Sequence, residues 1–220
     1  MICFLLIAFF RNSFNMINLS INLWSASINK GFFTLAAQVI SIAFDTIALV
    51  ILSFVVAILL FILHYKRYSL LLIGSMAGDT ILVESFKTIT MSPRPLNGLI
   101  VAFGYSFPSG HTMSSLVFFG VITYFVWKNW HSVKIKALTV GLYISITALV
   151  GFDRIYLNVH WFSDIVGSIF LGAFWMTLCI LLFKYLVSIG KIQRFLIQDV
   201  KLRKNNYSKT FKRFIASVHG

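Results

Sequence analysis

The sequence predicts an all-α protein, a multi-pass transmembrane helical bundle of five or six spans. Two observations carry that prediction. Of 220 residues, 59% are hydrophobic and 23 are Phe, whereas a soluble domain is roughly 45–50% apolar. Several windows also exceed the roughly 20 apolar residues needed to cross a bilayer. Lipid offers a backbone no hydrogen-bond partners, so each span should be a helix.

The first ten residues, MICFLLIAFF, are apolar but too short to span alone. No convincing small-residue cleavage site follows them, so they read as a truncated or tilted first span. From Asn12 to Lys30, Asn and Ser alternate with Leu, Ile and Trp24, which suits an interfacial segment lying along the membrane. Five clear spans follow, near 37–63, 69–91, 112–128, 134–152 and 162–186. The prolines, Pro93, Pro95 and Pro108, all fall in one loop between spans, where they interrupt no helix. Asp45, Asp79 and Glu84 fall inside expected spans, where a carboxylate is costly. Glu84 is three residues before Lys87 and can pair with it; Asp79 is expected to be buried, protonated or bonded to another helix. No linker divides the chain. It is read as one domain over 1–220, with a core at 35–186, an N-terminal segment at 1–34 and a basic tail at 187–220. Cys3 and Cys179 lie in apolar surroundings and read as small buried hydrophobes.

The net charge of +13 does not indicate nucleic acid, because nine of the 19 Lys and Arg fall from Lys184 onward. Such flanking charge reports orientation and attraction to anionic lipid. The tail and the loops at 64–67 and 128–136 therefore belong in the cytoplasm, most simply at the cell (inner) membrane. The loops near 92–111 and 152–161 then face outward.

Those outward loops hold the residues that carry chemistry. Lys87, Arg94 and Arg154 concentrate positive charge, and the planar arginine fork matches pairs of phosphate oxygens. Ser109 and Gly110 precede a helix start, whose N–H groups favour an anion. His160 and Asp164 are four apart on one helical face, so Asp164 can fix the His160 tautomer and leave the other ring nitrogen free. His160 then suits nucleophilic attack on phosphorus, and His111 suits protonation of the leaving group. The cations would stabilise charge on the transferring group, a task that elsewhere falls to a metal, so no metal or other cofactor is expected.

Lys-x6-Arg-Pro from Lys87 to Pro95, Pro-Ser-Gly-His at 108–111, and Arg-x5-His-x3-Asp from Arg154 to Asp164 together resemble the type 2 phosphatidic acid phosphatase (PAP2) superfamily. The resemblance covers about residues 35–186. It implies a phosphohistidine intermediate on His160, oriented by Asp164, with His111 as acid. Lys87, Arg94, Ser109, Gly110 and Arg154 would bind phosphate at the extracytoplasmic face. It implies a hydrolase acting on a lipid phosphate or diphosphate, with a polyprenyl diphosphate as first guess beside phosphatidic acid and phosphatidylglycerol phosphate. The expected partners are that substrate and membrane lipid, with no nucleic acid. The family usually has Ser before the third motif's Arg, and here Asp153 stands there. A carboxylate at that place repels phosphate unless it pairs with a cation. The alternative reading is a non-catalytic lipid-phosphate binder or transporter using the same cationic site.

Overall fold

A computed structural model describes residues 1–28 and 31–188, all of whose regular elements are helices. Helix α1 (Ile2–Phe9) leads through a 3-10 turn, Arg11–Phe14, into α2 (Asn15–Ile28). Then come α3 (Gly31–Ala43), α4 (Thr46–Ile62), α5 (Lys66–Thr90), α6 (Gly110–Asn129), α7 (Val133–Tyr156) and α8 (Phe162–Ser188). The last four are each long and apolar enough to cross a membrane; counting each bent pair, α1 with α2 and α3 with α4, as one span gives up to six among the described residues. Lys30 and the basic tail from 189 onward lie outside the described residues.

The expected span at 37–63 is not one helix. It breaks between α3 and α4 with a 46° bend. Asp45 explains the break: its side chain accepts a hydrogen bond from the Ile47 N–H (2.8 Å) and caps α4. This carboxylate therefore sits at a helix start rather than within a continuous helix.

Helix α6 is the central element and packs against α4, α5, α7 and α8. Leu49, Leu72, Met76, Val117 and Val121 form one buried cluster with it, and Phe4, Val83, Phe107, Met113 and Leu171 form another nearer its start. Glycine permits the tightest crossings. A Cβ on Gly78 would lie 2.0 Å from the Trp175 ring, and one on Gly120 2.1 Å from Met176 Sδ. One buried polar pair joins two helices: Asp79 of α5 accepts from Ser114 Oγ of α6 at 2.5 Å. Side chains such as Phe54, Ile58, Leu138 and Ile144 point outward, as lipid-facing residues must. Cys3, expected to be buried, is on the outer surface of α1, and Cys179 is half-buried.

Candidate active site

Several helix ends meet at one end of the bundle. The α5 C-terminus brings Glu84 and Lys87, the α6 N-terminus Gly110 and His111, and the α7 C-terminus Arg154. The α3–α4 break adds Asp45 and the α7–α8 connection adds His160. Together they line a cavity of about 530 Å³, which Arg94 enters from the α5–α6 loop. Motif residues from Lys87 to His160, 73 positions apart, thus line one space.

His160 is buried. Its Nδ1 lies 3.3 Å from Asp164 Oδ2, which also accepts from the Trp161 N–H at 2.9 Å. Asp164 stands in the first turn of α8 and reaches back to cap it. That cap is why a carboxylate is held so firmly under the imidazole. On the other side, Arg94 Nη1 donates to His160 Nε2 at 3.1 Å. A guanidinium only donates, so Nε2 carries the lone pair and the ring proton sits on Nδ1, facing Asp164. Burial pushes the His160 pKa down to about 4, while the hydrogen bond and charge of Asp164 oppose the shift. The ring is therefore neutral near pH 7. The expected free nitrogen is not free: it is the lone-pair nitrogen, and Arg94 covers it.

Arg94 does more than supply charge. Its Nε donates to the Gly104 carbonyl (3.1 Å), Nη2 to the Phe103 carbonyl (3.1 Å) and Nη1 to the Val159 carbonyl (2.8 Å). It thereby joins the α5–α6 loop to the α7–α8 connection. Burial draws its pKa below the usual arginine value, and the Asp164 charge opposes this. Trp161 Nε1 to the Pro93 carbonyl (2.9 Å) and Leu99 N to the Leu157 carbonyl (2.9 Å) tie the same two segments.

The other cations carry carboxylate partners. Lys87 Nζ is 2.9 Å from Glu84 Oε1, the pairing their spacing suggested. Arg154 is buried and donates through Nε (2.9 Å) and Nη2 to Asp153 Oδ2. Asp153 is thus turned onto the arginine, and its Oδ1 is buried without a hydrogen-bond partner. His111 Nε2 lies 3.3 Å from Asp45 Oδ2.

Ser109 stands apart from the cavity wall. It is fully buried, and its N–H, expected to meet an anion, donates to Ser168 Oγ at 2.7 Å. Its hydroxyl accepts from Thr112 Oγ1 at 3.1 Å. Gly110, next in sequence, does line the cavity. Asp164, also fully buried, supports His160 from behind.

Residues outside the motifs also hold the site. Three polar residues of α2 expected to lie at a membrane surface, Asn18, Asn22 and Ser25, are turned inward. Asn22 Nδ2 donates to Asn158 Oδ1 (2.8 Å) and Asn97 Oδ1 (3.1 Å). Asn18 exchanges two 3.0 Å hydrogen bonds with Ser163, and Ser25 Oγ donates to the Ile155 carbonyl at 3.0 Å. Their spacing, 18, 22 and 25, is a helical stripe, and that polar stripe in an apolar helix was the available signal.

Fold and site together define a helical integral membrane protein with a cation-rich, histidine-bearing cavity suited to a phosphorylated ligand. Residues 68–188 match the PAP2 superfamily, and the chain belongs to it. Phosphatidylglycerophosphatase B of Bacillus subtilis (strain 168) is 33% identical over 105 residues, 47% of this chain and 52% of that protein. Lipid phosphate phosphatase delta of Arabidopsis thaliana is 30% identical over 82 residues, 34% of this chain and 20% of that protein. The chain therefore matches about half the length of the first relative and a fifth of the second. Among solved structures, a transmembrane PAP2 type phosphatidylglycerolphosphate phosphatase from Bacillus subtilis aligns with a TM-score of 0.76 at 25% identity, over 81% of this chain and 90% of that one. LpxE of Aquifex aeolicus has the same fold, with a TM-score of 0.59 at 24% identity over 74% of this chain and 94% of that one.

Proposed function

We propose that this chain is a metal-independent lipid phosphate phosphatase whose nucleophile is His160. The observation that carries the reading is the His160 environment. A neutral imidazole has its proton turned to Asp164 and its lone pair turned to Arg94, within a cavity that Lys87, His111 and Arg154 also line.

The reaction runs in two steps. A substrate phosphate takes over the Arg94 hydrogen bond, which uncovers Nε2. Nε2 attacks phosphorus as the bond to the lipid oxygen breaks, and His111 gives that oxygen its proton. Lys87, Arg94 and Arg154 stabilise the charge on the remaining phosphoryl oxygens, and Gly110 allows close backbone approach. Asp164 stabilises the positive charge on the phosphorylated His160 ring. His111, now neutral, takes a proton from water as the water oxygen attacks phosphorus. Inorganic phosphate leaves and His160 regains its lone pair. Ser109 acts from behind the wall, holding the α6 start against Ser168.

Phosphatidylglycerol phosphate becomes the first substrate to test, because relatives found by sequence and by structure carry that activity in their names. This displaces a polyprenyl diphosphate as first guess. The site is assigned to the extracytoplasmic face of the cell membrane from the basic loops at 64–67 and 128–136.

The test is inorganic phosphate release by the detergent-solubilised protein from phosphatidylglycerol phosphate, phosphatidic acid and a polyprenyl diphosphate, with and without EDTA. The expected result is activity that EDTA leaves intact and His160→Ala abolishes. Binding of these lipids without phosphate release would establish the binder or transporter reading instead. Activity retained in His160→Ala would remove His160 as nucleophile.

A further inference from the structure

Asp45 belongs to none of the three motifs, yet it faces His111 across the cavity. Its two oxygens do different things. Oδ1 is fixed by the Ile47 N–H at 2.8 Å, which anchors the carboxylate at the start of α4. Oδ2 lies 3.3 Å from His111 Nε2. With Nε2 turned to Asp45, Nδ1 is the ring nitrogen left to face a ligand. The neighbours of His111 on the other elements are Arg154, His160, Lys87 and Arg94, from α7, the α7–α8 connection, α5 and the α5–α6 loop. The three basic side chains each repel a positive ring, and a carboxylate at 3.3 Å attracts one. A proton donor must carry its proton when the substrate arrives, so a nearby carboxylate is what such a ring requires.

We propose that Asp45 is a positioning residue for proton transfer to the leaving group. It turns His111 so that Nδ1–H points at the departing oxygen, and it stabilises the charged ring until that proton has moved. The site then contains two imidazole–carboxylate pairs with opposite tasks. His160–Asp164 presents a lone pair, and His111–Asp45 presents a proton. The break between α3 and α4 gains a purpose, because it brings a carboxylate to the cavity wall. This inference rests on the phosphatase reading above and on His111 as the acid.

The experiment compares two phosphates of equal tail length, decyl phosphate and 4-decyl-2-nitrophenyl phosphate, on the full chain in detergent. A departing alkoxide needs a proton, whereas nitrophenolate leaves without one. Asp45→Asn keeps the α4 cap, since Asn caps as well as Asp, and removes the charge. The expected result is a roughly 10- to 100-fold fall in kcat on decyl phosphate and less than about threefold on the nitrophenyl ester. KM should barely move for either, and Asp45→Glu should recover part of the loss. Equal loss on both substrates, or no loss on either, would overturn the positioning role. If the wild-type protein hydrolyses neither compound nor any lipid phosphate, the phosphatase reading itself fails and takes this role with it.

Discussion

Arg94→Lys separates charge from geometry at the centre of the site. Lysine keeps the positive charge that a phosphate meets but loses the planar fork. The Arg94 guanidinium reaches carbonyls at Phe103, Gly104 and Val159, with the first two on one loop and the third on another. A single ammonium cannot span all three, so about two of these bonds are lost. A hydrogen bond to a charged group contributes about 1.5–3 kcal/mol when buried. Arg94 is only half-buried, so about 1 kcal/mol each is the better figure after solvent screening. The total, about 2 kcal/mol, corresponds to roughly a 30-fold shift in how well the two loops stay joined. The kcat for phosphate release should fall by about 10- to 30-fold while KM changes less, because the point charge remains. Hydrogen exchange should report the same event, with faster exchange at the Leu99 and Val159 amides, which bridge or border the joined segments. A variant with kcat within about twofold of wild type and unchanged exchange at both amides would refute the idea that Arg94 fastens the loops.

Nitrogen-15 NMR of the histidine rings should find His160 neutral, with its proton on Nδ1, down to about pH 4. Its folded value lies below the ordinary 6.5, so the unfolded chain takes up the proton first. Stability from this group is fully present above about 6.5 and is lost as pH falls toward 4, which thermal melts across that window would register. The two remaining ion pairs should respond unequally to loss of the cation. Arg154→Ala strands a carboxylate whose partner side chain is 3% exposed and which is itself 2% exposed, a loss of about 3–5 kcal/mol. Lys87→Ala leaves Glu84, 66% exposed, to solvent at a loss of under about 1 kcal/mol. Equal melting temperatures for the two variants would contradict that ranking.

Much of the fold and the site is legible in the sequence. Apolar runs of sufficient length marked the spans, because a bilayer demands continuous helix. The three short motifs mark the cavity because they occur together, in order and on one membrane side, where each alone would read as an ordinary helix-end group. What escaped depends on contacts between distant positions. Asp45 read as a costly charge inside a span, since an apolar run gives no sign that a cap will split it. Asn18, Asn22 and Ser25 read as surface groups, since their partners at 155–163 are more than a hundred positions away. Sequence alone points the Ser109 N–H at an anion because nothing local shows Ser168 arriving beneath it. The motif marks Arg94 as a phosphate contact, and its hold on two loops emerges only when both are folded against it.

Four carboxylates stand beside four of the groups expected to meet the substrate: Glu84 by Lys87, Asp153 by Arg154, Asp164 by His160 and Asp45 by His111. An unliganded centre wired this way is close to electrically quiet. On the phosphatase reading, free orthophosphate stripped of its lipid meets mostly matched charge, and added millimolar phosphate is expected to inhibit phosphate release only feebly.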